Sequence, residues 1–183
     1  MYSALPYAFG QVMIEVPYVF VQAMVYGVIV YAMIGFEWTA AKFLLYMFFM
    51  YFTLLYFTFY GMMSVAMTPN PEIAAVVSAA FYSIWNLFSG FIVPRPRMPV
   101  WWRWYYGASP VSWTLYGLVV SQYGDVSERF SDPGEQEQVK EFRGDISPGH
   151  DYLPLVSVMI VMFTVLFGFI FAFSVRTLNF QRR

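Results

Sequence analysis

Cysteine is absent from the 183 residues, histidine occurs once, and only 11% of the side chains are charged. Each shortage removes a class of protein. Without thiols there is no disulfide scaffold, no thiolate zinc site and no cysteine nucleophile. The redox compartment stays open, because a lack of cysteine fits either. One histidine with no surrounding Asp, Glu or His cluster leaves no metal constellation. Ten Lys and Arg against eleven Asp and Glu give a net charge of −1, so a nucleic-acid partner has no electrostatic footprint to bind. No Gly-x4-Gly-Lys-Ser/Thr phosphate loop occurs, and no Ser/His/Asp set can be assembled with credible geometry. The first six residues carry no positive charge, which argues against a cleaved signal peptide.

What fills the chain is apolar. Hydrophobic residues make up 60%, aromatic residues 22%, and the mean hydropathy is +0.55. Soluble domains carry roughly 25% charged residues, more than twice the share here. One core of this size cannot hide that much apolar surface. A water-soluble enzyme and a disordered chain are both excluded. The composition predicts an all-α integral membrane protein whose first partner is the lipid bilayer.

The spacing of charges sets the organisation. Between Glu15 and Glu37 run 21 uncharged residues. As a helix they would extend about 31 Å, one bilayer core. A first crossing helix is expected at about 14–36, with Pro17 in its first turn, where a missing N–H costs little. A second uncharged run separates Lys42 from Glu72 and predicts a helix at about 43–67 and a turn at 68–71. Asn70 suits an N-cap, Pro71 the first helical position and Glu72 the first turn. A third helix is expected at about 72–93, stopped by Pro94-Arg95-Pro96-Arg97, and a fourth at 152–175.

Residues 94–151 differ. An aromatic run at 100–106, rich in Trp and Tyr, has the character of a membrane-interface belt. Residues 111–120 are apolar but too few to cross, which suits a re-entrant or interfacial helix. The stretch 125–151 is polar and punctuated by Gly and Pro, as a solvated loop would be. Four crossings put both termini on one side. Arg176, Arg182 and Arg183 favour a cytoplasmic tail, yet Arg95, Arg97 and Arg103 flank another helix end, so the positive-inside count ties.

Few side chains stand out. Ala75, Ala79 and Ser83 form a small-residue stripe on the third helix, widened by Ala74 and Ser78, and Gly168 with Ala172 a shorter one on the fourth. Such stripes let helices approach closely, although ordinary apolar composition also produces them. Asn86 is the one amide in the middle of the third helix; it suits either an interhelical hydrogen bond or a residue of a substrate cavity. Glu15 suits either a solvated carboxylate at the headgroups or an ionic contact to a neighbouring segment. The aromatic run 51–60 is packing before it is a ligand wall.

Several runs carry a family resemblance. Met1-Tyr2-Ser3-Ala4-Leu5-Pro6-Tyr7-Ala8, Tyr60-Gly61-Met62-Met63, Trp85-Asn86-Leu87-Phe88-Ser89-Gly90-Phe91, Pro94-Arg95-Pro96 and Trp101-Trp102-Arg103-Trp104-Tyr105-Tyr106 resemble the plant pleiotropic drug resistance transporters, full-size ABC exporters of subfamily G. The likeness covers essentially the whole chain. It implies the last four helices of the second transmembrane domain, with Met1 just after a cytosolic coupling helix. The 94–151 loop would then be extracellular and the 176–183 tail cytosolic, which overrides the arginines at the loop start. Glu15 would make its contact at the cytosolic end. Phe91 and Ile92 would belong to the hydrophobic plug between inner cavity and outer exit, with Asn86 and Ser83 facing the substrate cavity one and two turns below. Ser109 departs from the Cys or Asn that many relatives place before this Pro, so a redox role there is not implied.

The resemblance further implies a permease portion of an exporter of amphipathic small molecules, such as xenobiotics, hormones, secondary metabolites or lipids, in the plasma membrane. The first transmembrane domain and two nucleotide-binding domains would be its partners and would use ATP and Mg²⁺. This chain would hold no cofactor and catalyse nothing alone. Its length marks it as a fragment or truncated product; the reading from another class is a non-transporting membrane protein that packs against a partner.

Overall fold

The computed structural model describes residues 4–36, 38–89, 99–123 and 153–177. Within them the chain is all helical: α1 Ala4–Ile34, α2 Ala40–Met67, α3 Pro71–Leu87, a 3-10 turn Val100–Trp102, α4 Arg103–Ala108, α5 Pro110–Tyr123 and α6 Leu153–Thr177. Among the described residues three helices, α1, α2 and α6, are long and apolar enough to cross a membrane. At 17 residues α3 extends about 26 Å, and residues 90–93 of the expected third crossing lie outside the described residues.

α1 begins at Ala4, ten residues before the expected 14, so Pro17 sits in its interior rather than its first turn. The missing N–H leaves the Met13 carbonyl without its intrahelical donor. The helix stops at Ile34 because Gly35 takes a positive φ of 76°, a conformation that suits glycine at a helix end. α2 ends where the Thr68 hydroxyl donates to the Ser64 carbonyl at 2.8 Å and Pro69 follows. Asn70 caps α3 through its backbone, accepting from the Ala74 N–H at 3.1 Å, while its side chain makes no cap bond. Pro71 and Glu72 open the helix.

α2 is the centre, packing against α1, α3, α5 and α6. The core joins Val19 of α1, Phe49, Tyr56 and Phe59 of α2, Val120 of α5, and Val156, Ile160 and Phe167 of α6. A second cluster at the other end of the α1–α2 hairpin gathers Tyr31, Tyr46 and Met47. Gly168 allows α6 onto the Phe59 ring, where a Cβ would already be in contact at 3.4 Å.

The outward faces are oily. Phe9, Ile14, Tyr18 and Met33 on α1 and Val158, Val165 and Phe169 on α6 are all exposed. At about 25 cal/mol per Å² of apolar surface, water is the wrong solvent for those faces and lipid the right one. Hydroxyls within the helices are consistent with that solvent. Those of Thr58, Ser64, Ser157 and Thr164 each donate to a carbonyl one turn back, at 2.8–3.0 Å. In hydrocarbon a polar group must find its partner inside the protein.

Candidate functional site

α3 presents two faces. One is packed: Ala74 is buried, Trp85 stacks on Tyr60 with ring centroids 4.7 Å apart, and Tyr82 meets Phe57 at 5.3 Å. At 100° per residue, Ala75, Ala79, Asn86 and Ser83 share a neighbouring arc of about 80°. Ala75, Ala79 and Ser83 on that arc are exposed and Asn86 is half-buried. Within this chain the close approach to α2 is therefore made at Ala74, with Ala75 and Ala79 turned away from it.

Both polar groups on the arc are tethered to their own helix. The Asn86 Nδ2 donates to the Tyr82 carbonyl at 2.9 Å and the Ser83 hydroxyl to the Ala79 carbonyl at 2.8 Å. Asn86 keeps its Oδ1 and a second N–H, and Ser83 its lone pairs. These groups can accept or donate single hydrogen bonds in an otherwise apolar surface, and they do no chemistry. Phe91 and Ile92 lie outside the described residues. Glu15 is half-buried in the middle of α1, and among the described residues it has no ion-pair or hydrogen-bond partner.

Beside this face stands α5, whose residues carry a second constellation. Its register against α2 is antiparallel. Thr114 meets Thr53 and Tyr56, with hydroxyl oxygens 3.4 and 3.3 Å apart. Gly117 lies against the Phe49 ring so closely that a Cβ would stand 2.6 Å from it. Gln122 reaches the start of α2, donating from Nε2 to the Lys42 carbonyl at 3.1 Å, and the Tyr31 hydroxyl donates to its Oε1 at a long 3.5 Å. From Pro110 to Gln122 the helix covers about 18 Å, less than half of the roughly 42 Å that α2 covers.

The elbow between α4 and α5 is closed by side chains. The Ser112 hydroxyl donates within 2.7 Å of the Tyr106 carbonyl and 2.9 Å of the Ser109 carbonyl. The Trp113 indole N–H donates to the Gly107 carbonyl at 2.9 Å. Carbonyls that α4 leaves free at its end are thereby satisfied. The Ser109 hydroxyl, fully buried in the same elbow, has no partner among the described residues.

Sequence reasoning singled out Asn86, Ser83, Ala75 and Ala79, and the structure gathers them on one arc of α3. It passed over Thr114, Gly117 and Gln122. A signal was present: four polar residues and a glycine inside the 110–123 segment are out of place unless the helix is held by protein.

None of the described residues forms a cradle for phosphates, and no cluster of three His, Asp or Glu that could hold a metal occurs among them. The described helices pack into a wall with single polar groups on its α3 face.

Comparison with known proteins gives this wall a family. A model described as ABC-2 type transporter matches residues 1–123, and the chain belongs to that family of transporter membrane domains. Within it, the similarity is to plant pleiotropic drug resistance proteins. The whole chain is 68% identical to pleiotropic drug resistance protein TUR2 of Spirodela polyrhiza, of which it covers 13%. It is 64% identical to pleiotropic drug resistance protein 1 of Petunia hybrida, covering 12%, and 60% identical to ABC transporter G family member 40 of Arabidopsis thaliana, covering 13%. The chain is thus a membrane-domain segment that spans about an eighth of the length of these relatives.

Proposed function

We propose that this chain supplies part of one wall of the translocation path in an ATP-driven exporter of amphipathic small molecules. The observation that carries the reading is the arc of α3. It sets Asn86 and Ser83 on an unpacked face among apolar residues, beside the tightly held α5. In a family of transporter membrane domains, that face is suited to a passing substrate that is mostly apolar with a few polar groups. Ala75 and Ala79 lie on the same arc and would allow a helix from the rest of the protein to close on it.

In this reading α1, α2, α3 and α6 are four crossings. The 94–151 segment is extracellular, α4 and α5 dip into the membrane and return, and the 176–183 tail is cytosolic. Phe91 and Ile92 close the path above Asn86. Glu15, in the cytosolic half of α1, makes its ionic contact with a segment outside this chain. ATP and Mg²⁺ act on nucleotide-binding domains elsewhere in the full-length protein, in the plasma membrane.

The test is the full-length protein with Asn86→Leu and Ser83→Leu, assayed for ATP-dependent efflux of several amphipathic compounds from plant or yeast cells. Efflux is expected to fall for some compounds and not others, with surface expression kept. Uniform, unchanged efflux for every compound would remove the α3 arc from the path. No ATP-dependent efflux by the parent protein would leave the packing-partner reading in its place.

A further inference from the structure

The joints around α5 and those around α3 are made of different chemistry. α5 and α4 are fastened by hydroxyl, indole and amide groups to backbone carbonyls and to each other, at Ser112, Trp113, Thr114 and Gln122. A steric lock adds to them, the Phe49 ring seated on Gly117. Hydrogen bonds weaken steeply with angle and distance, so these joints resist sliding.

α3 is held by ring faces. Trp85 packs on Tyr60 and, at 6.0 Å, on Phe167 of α6; Phe88 packs on Trp102 at 5.3 Å and on Tyr105 at 5.7 Å. One polar contact here comes from a ring tip: the Tyr60 hydroxyl donates to the Ser78 carbonyl at 3.4 Å. Aromatic pairs remain favourable over centroid separations of roughly 4.5–7 Å and many tilts, so such a joint can shift without being broken. At its base α3 turns on the three residues Thr68, Pro69 and Asn70, with Thr68 and Asn70 in extended conformation between the two helices. Element-terminal residues of this kind are where hinges form.

We infer that Gln122 and Thr114 are positioning residues of the transport cycle: they fix α5, with α4, to α1 and α2 as a static post, and α3 pivots at residues 68–70 and slides over the ring surfaces of that post. The inference rests on the permease reading above. It assigns the moving and stationary parts of the wall.

The experiment uses the full-length protein in nanodiscs, free of nucleotide and trapped with nucleotide and vanadate. Spin labels are placed at exposed positions, Leu87 with Trp104 across the α3–α4 joint and Ile29 with Trp104 across the post. The first distance is expected to shift between the two states beyond the width of its distribution, and the second to stay. A fixed Leu87–Trp104 distance, or a shift in both, overturns the inference.

Gln122→Ala separates positioning from mere support. It is expected to make the Ile29–Trp104 distance depend on nucleotide and to lower the substrate moved per ATP hydrolysed severalfold. A folded fraction with the parental distances and the parental coupling overturns the role of Gln122. Should Gln122→Ala not fold, crosslinking decides: a short thiol-reactive linker across Phe88→Cys and Tyr105→Cys should stop transport until reduced. The same linker across Phe20→Cys and Tyr51→Cys, whose rings are also 5.7 Å apart, should leave it. Equal effects of the two linkers overturn the inference. Transport by the unlabelled parent protein is the separate check on the permease reading; transport with an immobile α3 removes only this inference.

Discussion

α3 and α5 are neighbours of similar length and opposite construction. α5 buries its polar side chains, Ser112, Thr114, Ser121 and Gln122, and leaves Val111, Leu115, Leu118 and Val119 partly open. α3 buries little beyond Ala74 and exposes Val76, Phe81, Tyr82 and Leu87 along with Ser83. In water the first pattern would be inverted and the second unstable. In a bilayer both are reasonable, because apolar contact with lipid costs nothing and an unpartnered hydroxyl or amide does. Burial therefore reports different things at the two helices: at α5 where polar groups find protein, at α3 only the side that meets its neighbours.

Five substitutions in the full-length protein sharpen that contrast, each read as thermal stability in detergent. Gly117→Val should do the most damage, because its side chain must displace the fully buried Phe49 ring. Overpacking of this kind costs about 1–3 kcal/mol. Gly61→Ala on α2, which meets open space, should change stability by less than about 0.5 kcal/mol. Equal effects would mean that α5 is not seated against α2.

Gln122→Leu comes next. It roughly keeps the volume and removes the hydrogen bonds to the Lys42 carbonyl and the buried Tyr31 hydroxyl. Losing two such bonds costs about 1–3 kcal/mol. Thr114→Val, which removes the hydroxyl shared with Tyr56 and nothing else of size, should cost less, about 0.6 kcal/mol. A larger loss for Thr114→Val than for Gln122→Leu would move the main anchor of α5 from its end to its middle.

Ser109→Ala should have the smallest effect and the opposite sign. The Ser109 hydroxyl is buried without a partner among the described residues, so deleting it removes a desolvated group and should leave the melting temperature equal or slightly higher. A clear drop would reveal a hydrogen bond formed there in the full-length assembly.

Much of the helix plan was legible in the sequence. The uncharged run after Lys42 marks α2, and Pro69-Asn70-Pro71-Glu72 marks the turn and the start of α3, because charge exclusion and proline act locally. The start of α1 was not legible. The run was measured from Glu15, yet a carboxylate is tolerated in a helix, and the structure carries α1 back to Ala4 across it. Pro17 misled as well: its preference for a first turn is real, yet proline is also tolerated inside a membrane helix.

The composition alone determined that this chain lives in a bilayer and is helical there, since 60% hydrophobic content with 11% charge permits little else. It also marked Asn86, Ser83, Ala75 and Ala79 as the unusual residues of one helix, because polarity and size are properties of a residue type. Which side of that helix is packed, and what holds α5, only the tertiary structure decided. Thr114 and Thr53 are 61 positions apart, and Gln122 and Lys42 are 80 apart. No local rule connects such pairs. They are neighbours because α5 runs antiparallel to α2 at a separation that Gly117 permits, and that register exists only once the helices have met.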